Sequence, residues 1–156
     1  MVSVTLPFFV YGTLRPGGPN HDLFLRGRTL TEEPAALGGA WLYDGPGYPY
    51  VVEAPGGRVH GELITPRPDA YPDLLRALDR LEDYTPGGSR NLYERVEREV
   101  TTGSRPVRAW VYVAAPAVAA RLRAHGRLIA GGDWAVRLCR TAIAGPPPSP
   151  PAPRTP

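Results

Sequence analysis

Proline and glycine fill almost a quarter of this chain, 20 and 18 of its 156 residues. Proline removes a backbone donor and fixes φ, and glycine weakens helix interiors, so long helices cannot dominate. That density of breakers favours short strands joined by tight loops. Leu, Ile, Val and Phe make up just over a fifth of the residues; with this length they suit one core rather than two. The prolines are also unevenly spread. Residues 145–156 hold seven of them and no large apolar side chain. This segment reads as a solvated, polyproline-like tail whose partner, a PxxP-binding groove being one option, is unknown. The domain is therefore expected in residues 1–144.

Several classes drop out early. No run approaches the ~18–20 apolar residues of a membrane span. The opening MVSVTLPFF lacks the positive and long apolar regions of a signal peptide. A soluble, cytoplasmic protein with no membrane partner is the expectation. Cys139 is the single cysteine, which excludes an intramolecular disulfide and a multi-cysteine zinc site. It follows Val136-Arg137-Leu138, an alternation that reads as a packed thiol. His21, His60 and His125 lie far apart and show no metal-ligand spacing, so no metal is expected. All 18 basic residues are arginine, the net charge is only +3, and residues 90–108 interleave Arg with Glu94, Glu97 and Glu99. That pattern is a solvated strand face, not a nucleic-acid stripe.

Apolar periodicity and breakers predict strands at 6–11, 29–36, 40–43, 50–53, 59–64, 93–101 and 108–113. A short helical turn is expected at 21–26 behind Asn20 as N-cap. Helices are expected at 71–82, with Pro72 in the first turn, and at 116–125, closed by Gly126. Short strands with a few helices point to an α+β domain around an antiparallel or mixed barrel.

Two places carry chemistry. On a helix over 71–82, Glu82 falls roughly 20° from Tyr71, inside the stripe of Leu74, Leu75, Leu78 and Leu81. A carboxylate there must pair, protonate or face a cavity, and desolvation would suit it to general base work. The bland alternative is a helix that ends by Leu81, with Glu82 paired to an arginine such as Arg95. The second place is the junction Phe9-Val10-Tyr11-Gly12-Thr13-Leu14. A strand ending in glycine can turn successive N–H groups toward one anion, though such a glycine also serves as an ordinary turn.

Tyr11-Gly12-Thr13-Leu14, followed by Arg15-Pro16-Gly17, resembles the YGTL loop that opens the gamma-glutamylcyclotransferase family. Further segments are similar to that family and in its order: Tyr48-Pro49, Val59-His60-Gly61-Glu62-Leu63, Leu78-Asp79-Arg80-Leu81-Glu82-Asp83-Tyr84, Tyr93-Glu94-Arg95, Trp110 to Val113, and Gly132-Asp133-Trp134. The resemblance implies a small mixed β-barrel with flanking helices and a cavity at its mouth. It implies an enzyme that cyclises a γ-glutamyl group to 5-oxoproline and releases the attached amine, without metal or organic cofactor. It places the catalytic carboxylate at Glu82 and the binding of the glutamyl α-carboxylate on Tyr11, Gly12, Thr13 and Leu14. Tyr93 and Tyr112 are expected to line the cavity and bond substrate or Glu82, and Tyr48 and Pro49 to form a wall. Asp79 and Trp134 are expected to serve local structure, and Arg15 to attract an anionic substrate or do nothing specific. Thr13-Leu14 stands where the glutathione-pathway branch has Ser-Asn, so the resemblance is nearer the branch acting on γ-glutamyl amines. That branch includes γ-glutamyl-protected antibiotic intermediates. The alternative reading is a non-catalytic member of the same fold that binds a small ligand or a protein.

Overall fold

The computed structural model describes residues 5–134 apart from 17, 19, 46, 47 and 89. Five strands, β1 (Phe8–Val10), β2 (Thr29–Tyr43), β3 (Tyr50–Pro66), β4 (Tyr93–Thr102) and β5 (Arg105–Ala114), close into a barrel in the order β1-β3-β2-β4-β5. β1 runs antiparallel to β3 but parallel to β5, with Phe8 opposite Trp110. The barrel is therefore mixed. Three helices accompany it: α1 (His21–Phe24), α2 (Tyr71–Leu81) and α3 (Pro116–His125). None is long and apolar enough to cross a membrane among the described residues.

Alternation along the strands splits the core in two, because successive side chains leave opposite faces. Phe9, Leu37, Val59, Leu63 and Val111 meet inside the barrel with Trp134. Phe8, Val10, Ile64 and Tyr112 point outward onto Leu74 and Leu78 of α2 and Val118 of α3. Phe8 and Phe9 are each 1% exposed, so β1 is covered on both faces, and each ring contributes roughly 2–3 kcal/mol of burial. This explains why the opening strand reads as a continuous apolar run.

Four of the expected strands merge into two. Segments 29–36 and 40–43 are one strand, β2, and 50–53 and 59–64 are one strand, β3. Gly38 pairs with Arg58 and Ala40 with Glu53, so residues 54–57 bulge from β3 opposite a single residue, Gly39, at φ +67°. Trp41 Nε1 donates to the Pro55 carbonyl across the bulge at 3.2 Å. A Cβ on Gly57 would sit 2.1 Å from the Ala40 carbonyl oxygen. The glycines that look like strand ends instead let long strands bulge and bend. The expected cap on α1 is also different: Asn20 makes no side-chain cap bond, and its Nδ2 donates to Thr13 Oγ1 at 2.9 Å. The expectations for Cys139 and for the tail at 145–156 lie outside the described residues.

Candidate active site

The stripe on α2 buries Tyr71, Leu74 and Leu78 against the barrel. The helix stops at Leu81, and Glu82 is its C-cap at φ −86°, ψ 3°. The Tyr84 N–H bonds the Asp79 carbonyl at 2.8 Å and the Asp83 N–H bonds the Arg80 carbonyl at 3.1 Å, the paired bonds of a Schellman turn. Asp83 takes the left-handed position at φ +53°, where glycine is usual. The capping turn, rather than the helical stripe, therefore aims Glu82. The arginine of the bland alternative pairs elsewhere: Arg95 Nε and Nη2 donate to Asp79 Oδ1 and Oδ2 at 2.8 and 3.3 Å.

Half-buried Glu82 lines a cavity that opens to solvent. Tyr11, Gly12, Thr13 and Leu14 line the same cavity, as do Tyr48 and Pro49 from the β2–β3 connection, Tyr93 from β4 and Tyr112 from β5. All nine residues singled out in the sequence thus meet in one place. Phe9 and Val10 also line it; their apolar run reads as plain strand, and no signal in it marks a wall.

The loop after β1 is tightly folded. Arg15 N–H bonds the Gly12 carbonyl, Gly18 N–H the Arg15 carbonyl, and Asn20 N–H the Thr13 carbonyl. Among the described residues these bonds use loop carbonyls, and none of them takes the N–H of Gly12, Thr13 or Leu14. Gly12 is required by close approach: a Cβ there would sit 2.8 and 2.9 Å from Pro49 Cδ and Cγ.

The tyrosine hydroxyls have partners in the protein. Tyr93 donates to the Pro49 carbonyl at 2.8 Å and Tyr112 to Asp79 Oδ1 at 2.6 Å, while Tyr11 donates to the Tyr112 carbonyl at 2.5 Å. Buried hydroxyls need partners, and these find them in the protein, so the rings form the wall. Burial first, and then the bond to the Asp79 carboxylate, push the Tyr112 hydroxyl far above its ordinary pKa. It stays a neutral donor.

Among the described residues no group of three or more His, Cys, Asp and Glu side chains is placed to hold a metal. The family model for gamma-glutamyl cyclotransferase, AIG2-like, matches residues 8–136. The chain belongs to that family. Over 106 residues it is 35% identical to the gamma-L-glutamyl-butirosin B gamma-glutamyl cyclotransferase of Niallia circulans, a match taking in 67% of this chain and 64% of that one. The chain thus spans less than two thirds of that relative's length. The crystal structure of YkqA from Bacillus subtilis shares the fold, with a TM-score of 0.64 at 22% identity, covering 90% of this chain and 43% of that one. The crystal structure of a mouse AIG2-like protein gives a TM-score of 0.55 at 25% identity over 72% of this chain and 80% of that one.

The loop after β1, strand β3 and the segment before Trp134 meet at Arg15 in this cyclotransferase-family chain. Its Nε and Nη2 donate to Glu62 Oε1 and Oε2 at 2.6 and 3.3 Å, and its Nη1 to Asp133 Oδ1 at 2.7 Å. Burial lowers the Arg15 pKa, but the bonds to both carboxylates outweigh it and leave it raised. Arg15 is therefore not an exposed lure for substrate. It ties the cavity loop to β3 and to the segment holding Trp134, itself 4% exposed. Nothing in the local sequence announces this triad, because its members are brought together only by barrel closure.

Proposed function

We propose that this chain is a cyclotransferase that converts a γ-glutamyl amide to 5-oxoproline and a free amine. The observation that carries the reading is the sharing of one cavity by the Glu82 carboxyl and the 11–14 loop. The relative named as a gamma-glutamyl cyclotransferase for gamma-L-glutamyl-butirosin B supports an amide-linked γ-glutamyl group as substrate.

The loop amides of Gly12, Thr13 and Leu14 hold the α-carboxylate of the glutamyl group, a use that suits convergent backbone N–H groups. The α-amine arrives protonated and cannot attack. Glu82 takes one proton, and the freed nitrogen lone pair attacks the γ-carbonyl carbon, closing a five-membered ring. Glu82 returns its proton to the leaving nitrogen, and the carbon–nitrogen bond to it breaks as the γ-carbonyl re-forms. The extra proton left on the ring nitrogen passes through Glu82 to the departing amine, which leaves as an ammonium. Ring closure is intramolecular, so most of the rate comes from holding both ends of the glutamyl group in reach. Tyr93, Tyr112, Tyr48 and Pro49 form the wall beside the transferred proton.

The test is 5-oxoproline release from γ-glutamyl-alanine, γ-glutamyl-ε-lysine, glutathione and γ-glutamyl alkylamines, with wild type and Glu82→Gln side by side. Release by wild type and a loss of at least about 100-fold in the variant, with an unchanged melting curve, is expected. Full activity in Glu82→Gln refutes the residue's role. No release from any compound favours a ligand-binding member of the fold that has kept the pocket.

A further inference from the structure

The turn that carries Glu82 is gripped by a side chain that is not itself among the described residues lining the cavity. Arg95, on β4, forms a two-pronged contact with Asp79, the residue three before Glu82. Its guanidinium carbon also lies 5.6 Å from the ring centroid of Tyr84, two residues after Glu82, and 4.4 Å from that of Trp110 on the far side. The two ends of the Schellman turn are thus bound to one cation that also lies over Trp110 of β5. The same Asp79 carboxylate accepts the Tyr112 hydroxyl at 2.6 Å, and the Tyr112 ring lines the cavity opposite.

From this geometry we infer that Arg95 is a positioning residue, setting Glu82 and the Tyr112 wall relative to each other through Asp79 and Tyr84. The inference rests on the proposed reaction for its consequence but not for its geometry. The turn needs an outside hold. It places an L residue, Asp83, in the left-handed region, a conformation that costs about 1–2 kcal/mol for most side chains. The side chains of Arg95 and Asp79 are only 14% and 19% exposed, so little water competes with the pair. Arginine suits the task because one rigid fork can grip a carboxylate with two donors while its delocalised cation lies over aromatic rings, which lysine's point charge cannot match. Catalysis feels the loss because a carboxyl that strays about 1 Å from a bound amine costs on the order of 100-fold in rate.

The experiment compares wild type, Arg95→Lys and Arg95→Met by kinetics per folded molecule and by amide hydrogen exchange. In Arg95→Met, kcat is expected to fall on the order of 100-fold, and in Arg95→Lys roughly tenfold, with KM within about threefold of wild type. The Tyr84 amide, bonded to Asp79, is expected to exchange roughly tenfold faster or more, while the Leu63 amide in the barrel keeps its protection. A merely structural arginine would lower the folded fraction and leave kcat per folded molecule unchanged. Wild-type kcat, or unchanged Tyr84 exchange, in Arg95→Lys overturns the inference. If wild type releases 5-oxoproline from no compound, the reaction falls, and Tyr84 exchange alone decides whether Arg95 holds the turn. Should Arg95→Lys fail to fold, Asp79→Asn carries the same two readouts.

Discussion

Replacing Gly12 by alanine tests how the cavity is set. The new Cβ would lie 2.8 and 2.9 Å from Pro49 Cδ and Cγ, where ordinary contact begins near 3.4 Å. Something must therefore retreat by about 0.6 Å. The proline ring is rigid, and its carbonyl accepts the Tyr93 hydroxyl at 2.8 Å, so it cannot yield without loosening Tyr93. If the loop yields instead, the Thr13 and Leu14 amides shift relative to Glu82. Overpacking costs about 1–3 kcal/mol, and the lower entropy of an unfolded alanine chain offsets about 0.4–1 kcal/mol. The net loss of stability is about 1 kcal/mol, a shift of a few degrees in Tm. The effect on catalysis is larger, since displacement by much of an ångström approaches 100-fold in rate. Thermal melts and 5-oxoproline release measure the two effects separately. Gly38→Ala is the control: a Cβ there meets nothing within 4 Å, and wild-type activity is expected. A Gly12→Ala enzyme with kcat/KM within about twofold of wild type would refute the argument that Pro49 sets the loop.

Two further outcomes follow from the same geometry. Asp83→Gly relieves the left-handed turn at φ +53°; the gain exceeds glycine's extra entropy cost, and a stabilisation of about 0.5 kcal/mol is expected in urea melts. Above pH 10 the fold should weaken. Tyr71 and Tyr112 have hydroxyl pKa values raised mainly by burial, so the folded state keeps protons that the unfolded chain releases near pH 10. Their stabilisation is fully present below that pH and is lost as pH rises further. The chain has no lysine to blur this window. Tyr112→Phe should remove about 1 kcal/mol from the decline between about pH 10 and 11, read by urea unfolding.

Strong local signals were enough for much of the fold. β4 and β5 appear in the alternation at 93–101 and 108–113, and α3 in the alanine-rich run between Pro116 and Gly126, within a few residues of their observed ends. The long β2 and β3 were harder, because Gly38, Gly39, Gly56 and Gly57 look like breaks when read locally. Whether a glycine ends a strand or lets it bulge depends on the partner strand, which lies elsewhere in the chain. Asn20 does stand at the N-cap of α1, but its side chain makes no cap bond, and its Nδ2 donates to Thr13, a contact set by the loop rather than by the helix.

The amino-acid sequence by itself determined the family, the mixed α+β barrel class and the residues that meet in the cavity, because ordered motifs and period-two strands are written in neighbouring residues. Tertiary structure alone decided how those residues are held. Closure of the barrel brings Arg15 between Glu62 and Asp133, hands Arg95 to Asp79, and spends the Tyr93 and Tyr112 hydroxyls on Pro49 and Asp79. A buried charge or hydroxyl takes whichever partner the fold brings within about 3 Å, and no local pattern records that distance.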